Sequence, residues 1–151
     1  MNRVTKISAW LAIGLFIASA PAIFPAAAAA QTLDISIESE TGGSPPGELV
    51  VTDPSGDRTG PYAPDIQLPN PMNGLYNLRV IGTKTGVYLL ILKAYSGSGS
   101  TSDVRFPHMT IKAGEVHHYD VNFSAEGPKL DVRRTRITQE SNLNRRSWAA
   151  A

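Results

Sequence analysis

The alternation of apolar and polar residues along the chain predicts β-strands. Side chains of a strand point to opposite faces in turn, so a period of two marks a strand with one buried face. The pattern is clean over residues 33–38, where leucine and isoleucine alternate with serine and acidic residues. Further candidate strands lie at 48–52, 66–68, 105–111 and 116–124. No segment after residue 30 keeps a clear helical period, which favours an all-β protein.

The strongest pattern covers residues 74–94, GLYNLRVIGTKTGVYLLILKA. Its first half alternates, whereas residues 87–92 are apolar throughout, so the second strand is predicted to be central and covered on both faces. A five-residue connection from Gly82 to Gly86 joins the two halves. We therefore expect a β-hairpin at the centre of the fold, with Tyr76 and Tyr88 as a cross-strand pair.

Segments rich in proline and glycine separate the remaining predicted strands from one another. The sequence TGGSPP at 41–46 predicts a loop, and Asp53-Pro54-Ser55-Gly56 has the composition of a type I turn. Four prolines between 57 and 73, and Pro107 further on, predict edge strands, because proline lacks the donor that a central strand needs. Residues 96–102, SGSGSTS, predict a flexible tip. Together the elements predict a single antiparallel β-sandwich of about seven strands.

Residues 1–30 have the features of a signal peptide. Arg3 and Lys6 precede an apolar segment at 9–20, and three alanines ending at Ala30 offer a cleavage site before Gln31. The alternative is an uncleaved membrane anchor, but two prolines and an alanine run near the end of the segment favour cleavage. We therefore expect a secreted or periplasmic protein with no transmembrane segment after cleavage. Since cysteine is absent, the fold has neither disulfides nor a lipoprotein attachment site.

Three sequence segments within residues 47–123 are similar to those of a known family: ELVVTDPSGDRTG, PNPMNGLYNLRVIGTKTGVYLLILKAY and MTIKAGEVHHYDVNF. Together they resemble the immunoglobulin-like or pre-peptidase-C-terminal-like β-sandwich modules of secreted bacterial proteins. The resemblance implies a sandwich fold and a non-catalytic role.

Candidate metal ligands occur in one loop region. Asp53, Asp57 and Asp65 lie near Ser55 and Gly56, the oxygen-rich composition that calcium uses. The spacing differs from that of an EF-hand, and Asp53 has a simpler explanation as the first residue of a turn. Calcium is therefore a possible cofactor, and the sequence suggests no other.

The histidines do not predict a transition-metal site. His117 and His118 are neighbours in a predicted strand, so they point to opposite faces and cannot share one ion. We interpret these two and His108 as surface or rim residues. The serines at 96–100 lie in a low-complexity tip with no helix after it, so they do not predict a hydrolase.

Exposed aromatic rings offer a second kind of ligand site. Tyr62, Tyr95 and Phe106 fall in loops or at edges, where rings can stack on sugars. No tryptophan occurs between Trp10 and Trp148, which weakens the prediction of carbohydrate binding.

Charge divides the chain unevenly. Residues 31–128 hold six basic and eleven acidic side chains, whereas residues 129–151 hold six basic and two acidic ones. The second segment predicts a basic, flexible tail that binds an anionic partner, with Leu130 and Val132 as candidates to extend the last sheet before the flexible part begins. The alternative is a solvated disordered tail that only offsets an acidic domain. The candidate partner-binding residues are Arg133, Arg134, Arg136, Arg145 and Arg146.

These observations define three segments: a signal peptide at 1–30, a β-sandwich domain at 31–128 and a basic tail at 129–151. The predicted function is that of a secreted, non-catalytic binding or structural module. Its partner is a protein or an anionic component of the cell envelope, and sequence-specific nucleic-acid binding is not expected. A calcium-dependent or carbohydrate-binding domain is the alternative.

Overall fold

A computed structural model describes residues 31–61, 64–97, 99–127 and 129–139. The predicted signal peptide lies outside these residues. Within them the fold is all-β, as predicted, with nine strands rather than about seven. The strands are β1 (Thr32–Ser39), β2 (Gly47–Thr52), β3 (Arg58–Thr59), β4 (Asp65–Pro69), β5 (Gly74–Gly82), β6 (Gly86–Tyr95), β7 (Thr101–Ile111), β8 (Glu115–Ser124) and β9 (Lys129–Gln139).

The strands form two antiparallel sheets. One sheet has four strands in the order β4-β1-β6-β7, and the other has five in the order β3-β2-β5-β8-β9. The pairs β2–β3, β6–β7 and β8–β9 are neighbours in sequence and in space, and each of the other connections crosses between the sheets. This is the architecture of a β-sandwich.

The predicted hairpin of β5 and β6 is wrong, although both strands exist and both are central in their sheets. β5 pairs with β2 and β8, whereas β6 pairs with β1 and β7 in the other sheet. The connection crosses the sandwich because Thr83 donates from its backbone N–H and its hydroxyl to the carbonyl of Pro46. Gly82 lies so close to the Lys112 carbonyl that a Cβ would overlap it.

The core fills the space between the sheets. Tyr76 on β5 and Tyr88 on β6 belong to the same buried cluster, but they face each other across it rather than along one sheet. The alternating positions of β1 and β8 point inward as predicted. The largest fully buried side chains are Tyr76, Tyr88, Tyr119, Phe123, Leu33, Ile35, Ile37, Leu49, Leu78, Leu90, Leu92 and Ile111.

The proline-containing strands lie at edges, as predicted. β4 and β7 are the two outer strands of the four-stranded sheet. On β7, Pro107 and His108 together oppose the single residue Leu89, which produces a bulge. His108 has a φ of 57°, and Glu40 holds it by accepting from both its backbone N–H and its ring Nδ1.

The basic segment after residue 128 is only in part as expected. Residues 129–139 were predicted to be flexible, but they form β9, which pairs with β8 along its whole length. The reason is that Leu130 and Val132 alternate with charged residues and pack against the core. Residues 140–151, with Arg145 and Arg146, lie outside the described residues.

Candidate functional site

The outer face of the five-stranded sheet carries a concave site of about 600 Å³. Its walls come from all five strands and are mainly polar. Three arginines supply positive charge, one aspartate opposes them, and a histidine lies among them. The lining residues are Thr52, Arg58, Asn77, Leu78, Arg79, His118, Tyr119, Asp120, Thr135 and Arg136.

Strand register places a histidine and two arginines in one transverse row. Arg79 on β5 is the direct partner of His118 on β8, and His118 is the direct partner of Arg136 on β9. Side chains of directly opposed residues lie on the same face, roughly 5 Å apart at Cβ. Arg58 on β3 lines the same concavity but belongs to the neighbouring row, through Thr52 and Asn77. We call Arg79, His118 and Arg136 the cationic row.

The neighbouring row supplies the only carboxylate among the residues that line this concavity. Asn77 on β5 pairs with Asp120 on β8, which pairs in turn with Arg133 on β9. Arg133 also donates to Asp131 at 3.1 Å. The lining of the concavity therefore has three arginines and one aspartate, an excess of positive charge.

The excess of positive charge contributes to a lowered pKa of His118. Burial, followed by the charges of Arg136 and Arg79, holds the pKa of His118 below its ordinary value, and Asp120 opposes the shift. The ring Nε2 lies 2.8 Å from the hydroxyl of Thr138. His118 is half-buried, so it remains accessible to a ligand in the concavity.

An apolar group adjoins the cationic row on the same face. Val50, Ile81 and Val116 form a small buried cluster of their own, separate from the main core. Val50 is the register partner of Arg79 on the side away from His118. Apolar neighbours reduce the hydration of nearby charges, which strengthens their interaction with a bound counter-charge.

The outer face of the other sheet has the opposite charge. A smaller concavity of about 310 Å³ there is lined by Asp34, Glu38 and Asp65, with Lys93 as the one basic group among its lining residues. On the same face, Asp103 and Arg105 form an ion pair at 2.9 Å. The sandwich is thus basic on one broad face and acidic on the other.

The predicted partner-binding arginines of β9 do not act as one arm. Arg136 lines the concavity and Arg133 pairs with Asp131. Arg134 points the other way, and its Nη1 lies 4.0 Å from the sulfur of Met109 on β7, where the edges of the two sheets meet. The remaining two predicted residues, Arg145 and Arg146, lie outside the described residues.

The predicted calcium site is not assembled. Among the described residues, no group of three or more histidines, cysteines, aspartates or glutamates is arranged to hold a metal ion. Asp65 lies on β4 in the other sheet from β2 and β3. One oxygen of Asp53 accepts from the backbone N–H of Ser55, the hydroxyl of Ser55 and the backbone N–H of Asp57, so this carboxylate closes the predicted turn. The Ser55 hydroxyl bond leads the causes that lower the pKa of Asp53.

His117 is a core residue, which corrects its interpretation as a surface or rim histidine. It is 1% exposed, and its Nδ1 lies 2.8 Å from the hydroxyl of Tyr88. That hydroxyl lies 2.9 Å from the hydroxyl of Tyr119, and Glu115 approaches Nε2 of the ring at 3.6 Å. The opposite orientations of His117 and His118 were predicted correctly from strand geometry.

The tyrosine–histidine group has shifted pKa values. Burial lowers the pKa of His117 and raises the pKa values of Tyr88 and Tyr119. All three groups therefore stay neutral near pH 7. Because they lie inside the core, we interpret them as a structural network rather than as a catalytic site.

Within the described part of the chain, the predicted aromatic residues do not form an exposed platform. Phe106 packs against the core, with its ring centre 5.6 Å from that of Tyr119. Tyr95 is half-buried on the acidic face. Tyr62 lies outside the described residues. The structure therefore adds no support for the prediction of carbohydrate binding.

Sequence reasoning missed Arg58, Arg79 and His118 as parts of one site. Each has an ordinary local pattern, a polar residue at an outward position of a strand. The signal available in the sequence was a charged residue, Arg79, within the apolar strand β5. Which side chains lie beside it depends on the strand order, which the sequence does not show.

None of the described residues forms a helix that could cross a membrane. Comparison of the chain with protein-family profiles, with curated proteins and with solved structures gives no match.

Proposed function

We propose that this chain is a secreted or periplasmic, non-catalytic binding module, similar to the β-sandwich modules that its sequence resembles. The basic outer face of the five-stranded sheet is its binding surface, and the anionic groups of a protein or of cell-envelope material are its ligands. The observation that carries this proposal is the cationic row, which sets a histidine between two arginines across β5, β8 and β9.

Such a row disfavours the protonated form of His118. When His118 is protonated, it is directly opposite a like charge on each side, and each such pair destabilises a sheet, typically by a few tenths of a kcal/mol to about 1 kcal/mol. Here Arg79 and Arg136 flank His118 on both sides and lower its pKa. A bound carboxylate or phosphate would relieve this repulsion, and a guanidinium can bind either group through two parallel hydrogen bonds.

The distribution of the other titratable groups supports a role without chemistry. His117, Tyr88 and Tyr119, whose pKa values are shifted by burial, are enclosed in the core, where a substrate has no access. The polar groups that line the concavity are three arginines, a histidine, an amide and hydroxyls, which bind and orient anions, with Asp120 as the one carboxylate among them. Binding is the activity that this set of residues supports best.

Vesicle binding tests the proposal. The chain is mixed with phosphatidylcholine vesicles that either contain or lack phosphatidylglycerol, and separately with polyglutamate. We expect binding to at least one anionic probe that weakens as salt rises towards about 0.5 M, because screening shortens the range of the charges. The double variant Arg79→Gln with Arg136→Gln should bind about tenfold more weakly, a loss of roughly 1.4 kcal/mol.

A matched control removes two positive charges from the other face. The double variant Lys93→Gln with Arg105→Gln changes the net charge by the same amount and should keep its affinity. Equal weakening in both double variants would show that only net charge matters and would contradict the proposed surface. Absence of binding to both anionic probes would contradict the proposed function.

A further inference from the structure

The two sheets present four edge strands, and they differ in how well another strand could pair with them. β3 has two residues, and β4 has five and ends at Pro69. β7 is interrupted by Pro107 and its bulge. These are common ways in which proteins prevent edge-to-edge association.

β9 is different from the other three edges. It is eleven residues long, contains no proline and pairs with β8 without interruption from Lys129 to Arg134. Its single bulge, at Thr135, comes after this stretch. In the described part of the chain no strand lies on its free side. The backbone donors and acceptors on that side are therefore available to an added strand.

The charges on β9 select the kind of strand that fits. β9 has one acidic residue, Asp131, and four basic ones. The basic residues are Lys129, Arg133, Arg134 and Arg136. A second copy of this basic strand would meet repulsion, whereas an acidic strand would be attracted. An added strand would lie about 4.8 Å away and place every second side chain on the outer face. Those side chains would be next to Arg133 and Arg136, which face outward there.

We propose that β9 binds an extended acidic segment of a partner protein by strand addition, so that the partner becomes the sixth strand of the basic sheet. This inference rests on the proposed function, since it uses the same basic face, and it specifies the partner. Backbone hydrogen bonds to β9 hold the segment, and acidic residues at alternate positions bind to Arg133, Arg136 and the adjoining concavity.

Peptides with selective N-methylation test strand addition directly. The probe is a labelled ten-residue peptide of alternating glutamate and threonine, and its two N-methylated forms carry the methyl groups either on all glutamates or on all threonines. In an added strand only one of these two sets of N–H groups points at β9. One methylated form should therefore keep the affinity of the parent peptide, and the other should lose at least about tenfold.

Two comparisons complete the test. A lysine–threonine peptide should not bind, and the variant Arg133→Gln with Arg136→Gln should bind the glutamate peptide more weakly than Lys93→Gln with Arg105→Gln does. Equal binding of both methylated forms would overturn the inference, because it would indicate attraction between charges without strand pairing.

Vesicle binding separates the two proposals. If the glutamate peptide fails to bind while phosphatidylglycerol vesicles still bind through Arg79 and Arg136, strand addition is wrong and the proposed function stands. If neither the peptide, nor polyglutamate, nor the vesicles bind, both proposals are wrong.

Discussion

At the scale of residues, the alternation of side chains along β8 places the adjacent His117 and His118 on opposite faces of the sheet. His117 points into the core and is held by Tyr88, whereas His118 points outward between Arg79 and Arg136. The opposite orientations follow from sequence alone, because the period of a strand is two. The sequence does not show that His117 lies in a closed core, since this depends on β6 lying opposite in the other sheet.

The first prediction concerns the hydroxyl of Tyr88. It contacts both His117 and Tyr119, so Tyr88→Phe leaves two buried polar groups without this partner. We expect the free energy of unfolding to fall by about 1–3 kcal/mol, measured by urea denaturation. Tyr95→Phe on the half-buried outer position is the matched control and should change stability by less than about 0.5 kcal/mol. Equal effects of the two substitutions would contradict the buried network.

The second prediction concerns pH. The folded-state pKa values of His117 and His118 are lowered, so the unfolded chain binds protons first as the pH falls below about 6.5. The contribution of these histidines to the free energy of unfolding should therefore be fully present above about pH 6.5. It should be lost as the pH falls from there through the folded-state pKa values. The groups around His117 are Tyr88, Tyr119, Glu115 and Arg134, and Glu115 alone opposes the shift among the charged ones.

Variants separate the two histidines in this measurement. His117→Phe and His118→Asn should each reduce the slope of unfolding free energy against pH between about 5 and 6.5. A slope that neither substitution changes would contradict the assignment. The slope is informative even if His117→Phe lowers stability overall.

At the scale of elements, the sequence predicts strands better than their partners. Alternation located β1, β2, β5 and β8, a continuous apolar run located β6, and proline placed β4 and β7 at edges. The pairing of β5 with β6 was wrong because a glycine-bounded connection of five residues suits either a hairpin or a crossing between sheets. Contacts with Pro46 and Lys112, distant in sequence, decide between these alternatives.

The third prediction tests that crossing. Gly82→Ala would place a methyl group against the Lys112 carbonyl, so the backbone must shift. We expect a loss of about 1–3 kcal/mol in unfolding free energy, measured by chemical denaturation. Thr85→Ala, at an exposed position of the same connection, serves as control and should be within about 0.5 kcal/mol of the parent chain. A neutral Gly82→Ala would contradict the close approach.

At the scale of the whole molecule, charge is sorted by face. Strand order gathers Arg58, Arg79, His118 and Arg136 on one outer face, while Asp34, Glu38 and Asp65 line the concavity on the other. The sequence shows a basic segment after residue 128, but only the folded sheet brings one of its residues beside Arg58, Arg79 and His118. Among the described residues that were predicted to bind a partner, Arg136 is the one that lines the concavity.

A pH effect on binding follows from the same arrangement. A bound anion would raise the lowered pKa of His118, so affinity should increase as the pH falls through the range in which His118 titrates. The groups that face His118 are Arg79, Arg136 and Asp120, with His117 beside it in sequence. Polyglutamate binding measured between about pH 5.5 and 7.5 should show this increase, and His118→Asn should remove most of it. An unchanged pH profile in that variant would exclude His118 from the site.

The most direct test of the binding surface is a residue-resolved titration. Amide resonances of the isotope-labelled chain are followed by NMR while inorganic phosphate is added at constant ionic strength. If the cationic row is the binding surface, shifts should centre on Arg79, His118 and Arg136, with β1 and β4 on the acidic face unchanged. Shifts spread evenly over both faces, or confined to the acidic face, would contradict the account.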